Sequence, residues 1–200
     1  MGSPEVTVRI ARQGDAERLA QIYEPYVLQT AITFDYEAPD GREFAARMAK
    51  TLERYPYLVA ERDGVVVGYA YASQFKDRAA YDWACETSIY VDMADRRSGV
   101  GQVLYQALEQ ALGIMGVTNL NACISYPAAP DEHLDRNSVD FHEHMGYAWV
   151  GRFHRCGHKF DRWYDMIWME KEIATHPAIP KPVMPFPQAR ALIGEQLGIW

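Results

Sequence analysis

The segment from residue 84 to residue 112 limits what this chain can fold into more than any other part of the sequence. Residues 84–91 are rich in β-branched and aromatic side chains, which favour a strand. Residues 96–101 read Arg-Arg-Ser-Gly-Val-Gly, and apolar side chains then recur at helical spacing up to Leu112. A strand, a glycine turn and a helix in this order aim backbone N–H groups and the positive helix end at one point, which suits a phosphate group.

Two common nucleotide-binding motifs do not explain this turn. A Walker A loop ends in Gly-Lys-Ser or Gly-Lys-Thr, whereas Gln102 follows Gly101 here. The dinucleotide-binding fingerprint needs a third glycine, and Leu104 occupies that position. The turn therefore predicts a phosphate site of another kind.

Patterns on either side of this segment predict a chain that alternates between strands and helices. Asp63-Gly64 separates two apolar runs at residues 57–60 and 65–72, which is the strongest short-range signal for a β-hairpin. The remaining patterns predict helices that begin near Asp15 and Asp40 and a helix over residues 138–144. The helix that follows the glycine turn is predicted to end at Gly113 and Gly116. Strands are predicted over residues 6–10, 120–124, 149–153 and 163–170.

The C-terminal residues differ in composition from the rest of the chain. From Thr175 onward prolines recur, and residues 188–197 have the pattern of a short helix. The whole chain has 200 residues, about the size of one domain. We therefore expect one domain at residues 1–173, followed by a proline-rich tail at residues 174–200 that lies along its own domain or along a partner.

Composition excludes several classes of protein. Hydrophobic residues make up 48% of the chain and charged residues 24%, as in an ordinary globular protein with a core. A net charge of −7 does not favour binding to nucleic acid or to an anionic membrane. Three cysteines without paired spacing do not suggest a disulfide framework, and residues 1–10 lack the apolar stretch of a secretion signal. No stretch is long enough to span a membrane, so we expect a soluble cytoplasmic protein.

The spacing of Arg96, Gly99 and Gly101 resembles the acetyl-CoA pyrophosphate loop of the GNAT acetyltransferase superfamily. More specific resemblances lie at residues 23–27 (YEPYV), 31–34 (AITF), 68–72 (GYAYA), 86–91 (ETSIYV), 141–147 (FHEHMGY) and 157–160 (GHKF). Together these segments, which cover about the first 170 residues, resemble the phosphinothricin and methionine sulfoximine N-acetyltransferase branch.

This resemblance implies both a fold and an activity. The fold class is α+β, with a central mixed, mostly antiparallel, twisted sheet flanked by helices and a proline-rich C-terminal extension. The activity is transfer of an acetyl group from acetyl-CoA to the primary amine of a small amino-acid-like substrate, by direct attack in a ternary complex. A homodimer is expected. The alternatives are acetylation of another metabolite amine or a protein N-terminus, and a non-catalytic acyl-CoA-binding module. A non-catalytic module would lack the base, so the presence of Glu86 favours catalysis.

Acetyl transfer needs a neutral amine, whereas an α-amine is mostly protonated at pH 7. Glu86 lies among apolar neighbours on the predicted strand, where burial would raise its pKa toward a value useful to a base. The resemblance makes Glu86 the general base, acting directly or through water. The alternative is a strand-end carboxylate that pairs with Lys76 or Arg78.

The resemblance also assigns two groups that assist the later steps. Backbone N–H groups near residues 89–91 are expected to donate to the oxyanion. His142 stands where many superfamily members have a tyrosine that protonates the leaving thiolate, and histidine can act as an acid near neutral pH. The alternative for His142 is a helix residue that caps or packs.

Acetyl-CoA is expected to lie along the predicted strand and the turn that follows it. The resemblance assigns the acetyl and pantetheine arm to Ile89, Tyr90 and Val91. It assigns the pyrophosphate to Arg96, Arg97, Ser98, Gly99, Val100, Gly101 and Gln102. Asp135 departs from the family, which often has asparagine three residues before Ser138 as a pantetheine contact, and Asn137 lies nearby.

Acceptor binding is expected around the residues that precede and follow Glu86. Lys76 and Arg78 could hold a carboxylate, and the alternative is two solvated loop charges. The other acceptor candidates are Thr87 and Ser88 beside the base, with Phe34 and Tyr36 as pocket walls, although an aromatic residue more often belongs to the core.

Two further groups of residues are weighed and set aside. His154, Cys156 and His158 alternate and could share a strand face around zinc, but a fourth ligand is missing at any standard spacing, so no metal is expected. Cys85 neighbours Glu86 but points to the opposite face of the strand, so a buried inert thiol is expected there.

Overall fold

The structure is a computed structural model that describes residues 6–200, in which seven strands form one mixed sheet. In chain order the elements are β1 (Val6–Ile10), α1 (Ala16–Gln29), α2 (Gly41–Leu52), β2 (Tyr57–Arg62), β3 (Val65–Gln74), β4 (Ala84–Val91), α3 (Val100–Met115), β5 (Asn119–Tyr126), α4 (Asn137–His144), β6 (Ala148–Lys159), β7 (Arg162–Glu172) and α5 (Phe186–Leu197). The strand order across the sheet is β1-β2-β3-β4-β5-β7-β6, and every neighbouring pair is antiparallel except β4 with β5.

Local sequence signals explain most of these elements. The predicted hairpin is confirmed, because Asp63 and Gly64 both have positive φ, 52° and 76°, as its two-residue turn requires. Asp40 begins α2, where its side chain accepts a hydrogen bond from the backbone N–H of Glu43 at 2.8 Å. Of the two glycines predicted to end α3, Gly116 is confirmed and Gly113 is not: the helix continues to Met115, and Gly116, with a φ of 94°, follows its last residue.

The last two strands are longer than predicted. The pattern predicted strands at residues 149–153 and 163–170, whereas β6 and β7 continue toward each other to a tight turn. That turn is Phe160-Asp161, and both residues have positive φ. An irregularity in β6 between Phe153 and Gly157 interrupts the alternation of side chains, which hid the second half of the strand from the sequence pattern.

Two hydrophobic cores lie on the two faces of the sheet. One core packs α1 and α2 against β2 and β3, and it is rich in aromatic side chains. The other packs α3 against the middle of the sheet and includes Phe186, Ala189 and Ile193 of α5. The backbone N–H of Ile10 also donates to the carbonyl of Trp200 at 3.1 Å. Residues 174–200 therefore pack on their own chain and complete the second core.

Two sequence arguments involve residues outside this description. The predicted domain begins at residue 1, and the argument about a secretion signal rests partly on the first five residues, which lie outside the described residues. Within residues 6–200, no helix is both long and apolar enough to cross a membrane.

Candidate active site

A gap between β4 and β5 is the central feature of the site. These parallel strands pair only at their first three positions, which end where Glu86 lies opposite Asn121. Beyond Glu86, the edge of β4 that faces β5 has no ladder partner, although β4 continues to Val91. Its backbone N–H and C=O groups between Glu86 and Val91 are therefore available to a ligand, whereas those of Val91 are bonded to the hydroxyl of Tyr26. A cavity of about 60 Å³ fills this gap, with Ser88 and Cys123 on its walls.

A larger cleft of about 320 Å³ shares Ile89 with this cavity and extends to the beginning of α3. Gly99 precedes the helix with a φ of 85°, a conformation that favours glycine, and the first N–H groups of α3 have no partner within the helix. Arg96 and Arg97 add positive charge to the same cleft. The predicted cofactor residues that the cleft brings together are Ile89, Val91, Arg96, Arg97, Gly99, Gly101, Gln102 and Asn137.

Four other predicted cofactor residues have side chains directed elsewhere. Val100 is fully buried in the core beneath α3. The Ser98 hydroxyl donates to the carbonyl of Asp95 at 2.6 Å, and the Asp135 carboxylate accepts from the backbone N–H of Asn137 at 3.0 Å. The Tyr90 ring packs against rings of α1 on the other face of the sheet. The structure does not bring these four side chains to the wall of the large cleft.

Sequence reasoning missed several residues that line this cleft. Ser138 and Phe141 of α4, Tyr26 of α1 and Ile32 after α1 all contribute to its wall. Phe141 lies so close to the turn that a Cβ atom on Gly101 would come within 3.2 Å of its ring. Tyr26 and Phe141 occur among the apolar residues of helices, so their pattern indicates a core and gives no separate signal of a binding site.

Glu86 lies at the point where β4 and β5 separate. Its side chain is half-buried and forms no ion pair with Lys76 or Arg78. Burial raises the pKa of Glu86 above its ordinary value, and the charge of Lys76 opposes that rise. The carboxylate is thus close to the gap, forms no salt bridge with any of residues 6–200, and is more basic than usual. On the opposite face, Cys85 is fully buried and its pKa is raised by burial, as expected for an inert thiol.

His142 belongs to a buried hydrogen-bond network between α3, α4 and β4. Its Nδ1 lies 2.6 Å from the carbonyl of Ser138, and because a carbonyl only accepts, Nδ1 carries the proton. Its Nε2 therefore accepts from the hydroxyl of Tyr105 at 2.9 Å. Burial lowers the pKa of His142 to about 4. The imidazole is neutral at pH 7 and both of its nitrogens are engaged, so it has no free acidic proton for a thiolate.

The predicted acceptor residues divide into two groups. Ser88 lies on the same strand face as Glu86. Nζ of Lys76 lies over the rings of Phe75 and Trp168, at 4.9 and 5.5 Å from their centroids. Arg78 is exposed, and Thr87 lies on the other face, where its hydroxyl donates to the carbonyl of Asn121 at 3.3 Å. Of the two predicted cations, Lys76 is the one whose charge acts on the pKa of Glu86.

The loop between α1 and α2 is fixed against the hairpin of β6 and β7. The Lys159 ammonium is buried and donates to the carbonyls of Thr30 and Thr33, at 2.9 and 2.8 Å. Phe34 lies directly against Gly157, where the absence of a side chain makes room for the ring. Tyr36, the other predicted wall, is exposed and donates through its hydroxyl to the carbonyl of His158. Sequence reasoning missed Lys159, whose role depends on a contact distant in sequence.

The residues weighed as metal ligands do not form a cluster. His154 lies 3.7 Å from the carboxylate of Asp165, and the sulfur of Cys156 contacts the carbonyl of Phe153. His158 packs against the ring of Trp163. Across the described part of the chain, no group of three or more histidine, cysteine, aspartate or glutamate side chains is arranged to hold a metal ion.

Comparison with known proteins gives consistent similarities. The profile of the family described as Acetyltransferase (GNAT) domain matches residues 8–168. The chain is 34% identical to phosphinothricin N-acetyltransferase of Streptomyces viridochromogenes over 93% of this chain and 99% of that protein. It is 29% identical to an L-methionine sulfoximine/L-methionine sulfone acetyltransferase of Salmonella typhimurium, over 86% and 98% of the two chains.

A solved structure has the same arrangement of elements. The crystal structure of a GNAT superfamily phosphinothricin acetyltransferase from Sinorhizobium meliloti, in complex with acetyl-CoA, superposes with a TM-score of 0.80. The superposition covers 92% of this chain and 97% of that one, at 30% sequence identity.

Proposed function

The chain belongs to the GNAT family of acetyl-CoA-dependent acetyltransferases, and from that premise we propose that it acetylates the primary amine of small amino-acid-like substrates. One observation carries the proposal. The free edge of β4 adjoins the phosphate-suited cleft at one end and the unpaired carboxylate of Glu86 at the other. A thioester and an amine would therefore meet across a single strand.

The cofactor half of this proposal rests on the turn and on β4. The N–H groups at the beginning of α3, together with Arg96 and Arg97, would hold the pyrophosphate. The pantetheine arm would pair with the free edge of β4 and so bring the thioester into the gap. A backbone N–H of the same edge, near Ile89, would donate to the oxyanion that forms on attack.

The acid–base half rests on Glu86 and Tyr105. Glu86 takes a proton from the ammonium, and the neutral amine attacks the carbonyl carbon of the thioester. The tetrahedral intermediate then loses a second proton and expels the thiolate, and one of the two released protons ends on sulfur. Tyr105 lines the gap, and its hydroxyl would turn from Nε2 of His142 to donate its single proton to that sulfur. In this scheme His142 is a positioning residue rather than the acid.

Support for an amino-acid-like acceptor comes from charge and from relatives. Lys76 lies near Glu86, as its effect on the pKa of that carboxyl indicates, so an α-carboxylate could pair with it while the α-amine faces the base. The relatives named above are described as acting on phosphinothricin and on methionine sulfoximine or methionine sulfone. All three compounds are amino acids with a free α-amine.

A soluble homodimer in the cytoplasm is part of the same proposal. The hairpin of β6 and β7 forms one edge of the sheet and exposes large apolar side chains, namely Trp149, Val150, Phe153 and Trp163. An exposed apolar edge of this kind suits association with a second copy. Light scattering on the purified chain tests this point, and a monomer at micromolar concentration would contradict it.

A panel of acceptors tests the activity. Purified protein and acetyl-CoA are mixed with L-amino acids, with the corresponding decarboxylated amines, and with short peptides, and thiol release is measured. We expect kcat/KM to be about 10- to 100-fold higher for the amino acids than for amines that lack the carboxylate, because a charge-assisted hydrogen bond is lost. Preference for peptides would identify a protein N-terminus as the acceptor, and binding of acetyl-CoA without turnover would identify a non-catalytic module.

A further inference from the structure

We propose that Arg62, at the end of β2, sets the affinity of the large cleft for acetyl-CoA by neutralising the carboxylate of Asp95 on the wall of that cleft. This inference rests on the proposed function, because it takes the cleft at the beginning of α3 as the place of the pyrophosphate. Neither Arg62 nor Asp95 belongs to the segments that carry the resemblance to the family. The pair is therefore a feature of this chain that the resemblance does not imply.

The topology of the sheet brings the end of β2 close to the turn that follows β4. Both strands pair antiparallel with β3, so they run in the same direction and finish at the same end of the sheet. Neighbouring strands are ~5 Å apart, so the ends of β2 and β4 are separated by about 10 Å. Arg62 is the last residue of β2, and its long side chain spans this distance to the turn.

Two nitrogens of the Arg62 guanidinium bind groups of the turn. Nη1 forms an ion pair with the carboxylate of Asp95, and Nη2 donates to the hydroxyl of Ser98 at 3.0 Å. The side chains of Arg62 and Asp95 are each 19% exposed, so water screens this pair less than it screens a pair on the open surface. Nε of Arg62 is buried and has no hydrogen-bond partner among residues 6–200. The guanidinium is thus directed to the turn although one of its N–H groups stays unsatisfied.

The charge of Asp95 is unfavourable to the ligand that the cleft is proposed to bind. Among residues 6–200, Asp95 is the only acidic residue that lines the large cleft, beside the cations Arg96 and Arg97. A free carboxylate there would repel the pyrophosphate and offset one of the two cations. The ion pair with Arg62 has no net charge, so the positive charge of Arg96 and Arg97 remains available to the ligand.

Arg62 is a positioning residue in this scheme. It does not line the cleft itself, so it acts on the cofactor through Asp95. Loss of the Arg62 charge should weaken the binding of CoA, and loss of the Asp95 charge in the same molecule should restore it. A purely mechanical support would behave differently, because removal of both partners would leave the turn without that support.

Isothermal titration calorimetry of the full chain with CoA tests this inference. We expect the Kd of CoA to rise by about 5- to 30-fold in Arg62→Gln and to return to within about 3-fold of the wild-type value in Arg62→Gln/Asp95→Asn. Arg62→Lys keeps the charge and should bind CoA almost as the wild type does. Asp95→Asn alone leaves the charge of Arg62 in place and should bind CoA at least as tightly as the wild type.

Arg9→Gln is the matched control for the loss of a partly buried arginine. The side chain of Arg9 is 18% exposed and pairs with Asp15 and Glu61, and none of these three residues lines the cleft. This variant should lower the Tm and leave the Kd of CoA unchanged.

Salt and kinetics separate a charge effect from a structural one. The ratio of the two Kd values, Arg62→Gln to wild type, should shrink as NaCl is raised from about 0.05 M to about 0.5 M, because salt screens charges. The KM of acetyl-CoA should rise with the Kd, while kcat at saturating acetyl-CoA stays unchanged.

Three results would overturn the inference but leave the proposed activity standing. They are an unchanged Kd in Arg62→Gln, a raised Kd that Asp95→Asn does not restore, and weaker binding in Asp95→Asn alone. The last result decides the question even where Arg62→Gln fails to fold. Wild-type protein that neither binds CoA nor uses acetyl-CoA would overturn both the inference and the proposed function.

Discussion

Substitution of Gly157 by alanine tests how closely β6 and the loop before α2 are fitted together. A Cβ atom at this position would lie 2.8 Å from Cδ2 of Phe34 and closer still to Cε2 and Cζ. Carbon atoms in ordinary contact are ~3.5–4.0 Å apart, so the ring would have to move by about 1 Å. The φ of Gly157 lies outside the left-handed region, so the effect would come from packing alone.

The ring of Phe34 has little freedom to make that movement. Its loop is held by the two hydrogen bonds from Lys159, and Tyr164 packs beside the ring at a centroid distance of 6.4 Å. Overpacking of this kind costs about 1–3 kcal/mol, and each kcal/mol lowers the Tm of a chain of this size by about 2–4 °C. We therefore expect Gly157→Ala to lower the Tm by at least about 2 °C and to raise the KM of the acceptor, with the KM of acetyl-CoA unchanged.

Two further variants make the result specific. Gly151→Ala, on the same strand, introduces a Cβ with no atom within 4 Å and should change neither quantity. Phe34→Leu in the Gly157→Ala background should restore most of the lost Tm, because the smaller side chain removes the collision. A Gly157→Ala protein with wild-type Tm and acceptor KM, or a double variant without recovery, would refute the packing argument.

Three further predictions concern the cofactor turn, the tail and the base. Gly99→Ala should raise the KM of acetyl-CoA and lower the stability of the fold by about 1 kcal/mol, because alanine is strained at a φ of 85° although nothing blocks its Cβ. Gly14→Ala, whose Cβ also meets nothing, is the control. An acetyl-CoA KM in Gly99→Ala equal to that of the wild type would contradict this prediction. Truncation after Ile173 removes α5 from the core and should lower the Tm sharply; an equally stable truncated protein would show that α5 is dispensable. Glu86→Gln should raise the Tm at pH 8: because burial raises the pKa of Glu86, ionisation costs stability as pH rises above the ordinary pKa of the group, and the gain should disappear at low pH.

Sequence reasoning found the parts of the site that short stretches of chain determine. The bounds of β4 match the predicted strand, and the turn from Arg96 to Gly99 lies before α3 as expected, although Val100 and Gly101, also predicted in the turn, belong to the helix. Both follow from local composition and from the conformations that glycine allows. The resemblance to the family also rests on this segment, because its local composition and its glycines can be read directly from the sequence.

The rest of the site depends on contacts between distant residues. The gap exists because β4 and β5 stop pairing after Glu86, and no pattern within either strand reports where two strands separate. The neutral state of His142 follows from burial beneath Tyr105, which the sequence of α4 does not show.

The pH dependence of kcat/KM for wild-type protein and for Glu86→Gln is the most direct test of the proposed acetyl transfer. We expect the wild-type value to rise with pH through a pKa above about 4.3, the ordinary value for glutamate, because burial raises the pKa of Glu86. The variant should lose about 10²- to 10⁴-fold near pH 7 and recover part of that loss at high pH, where the amine is already neutral. Wild-type rates in Glu86→Gln across the whole pH range, with acetyl-CoA binding intact, would contradict the role of Glu86 and the mechanism built on it.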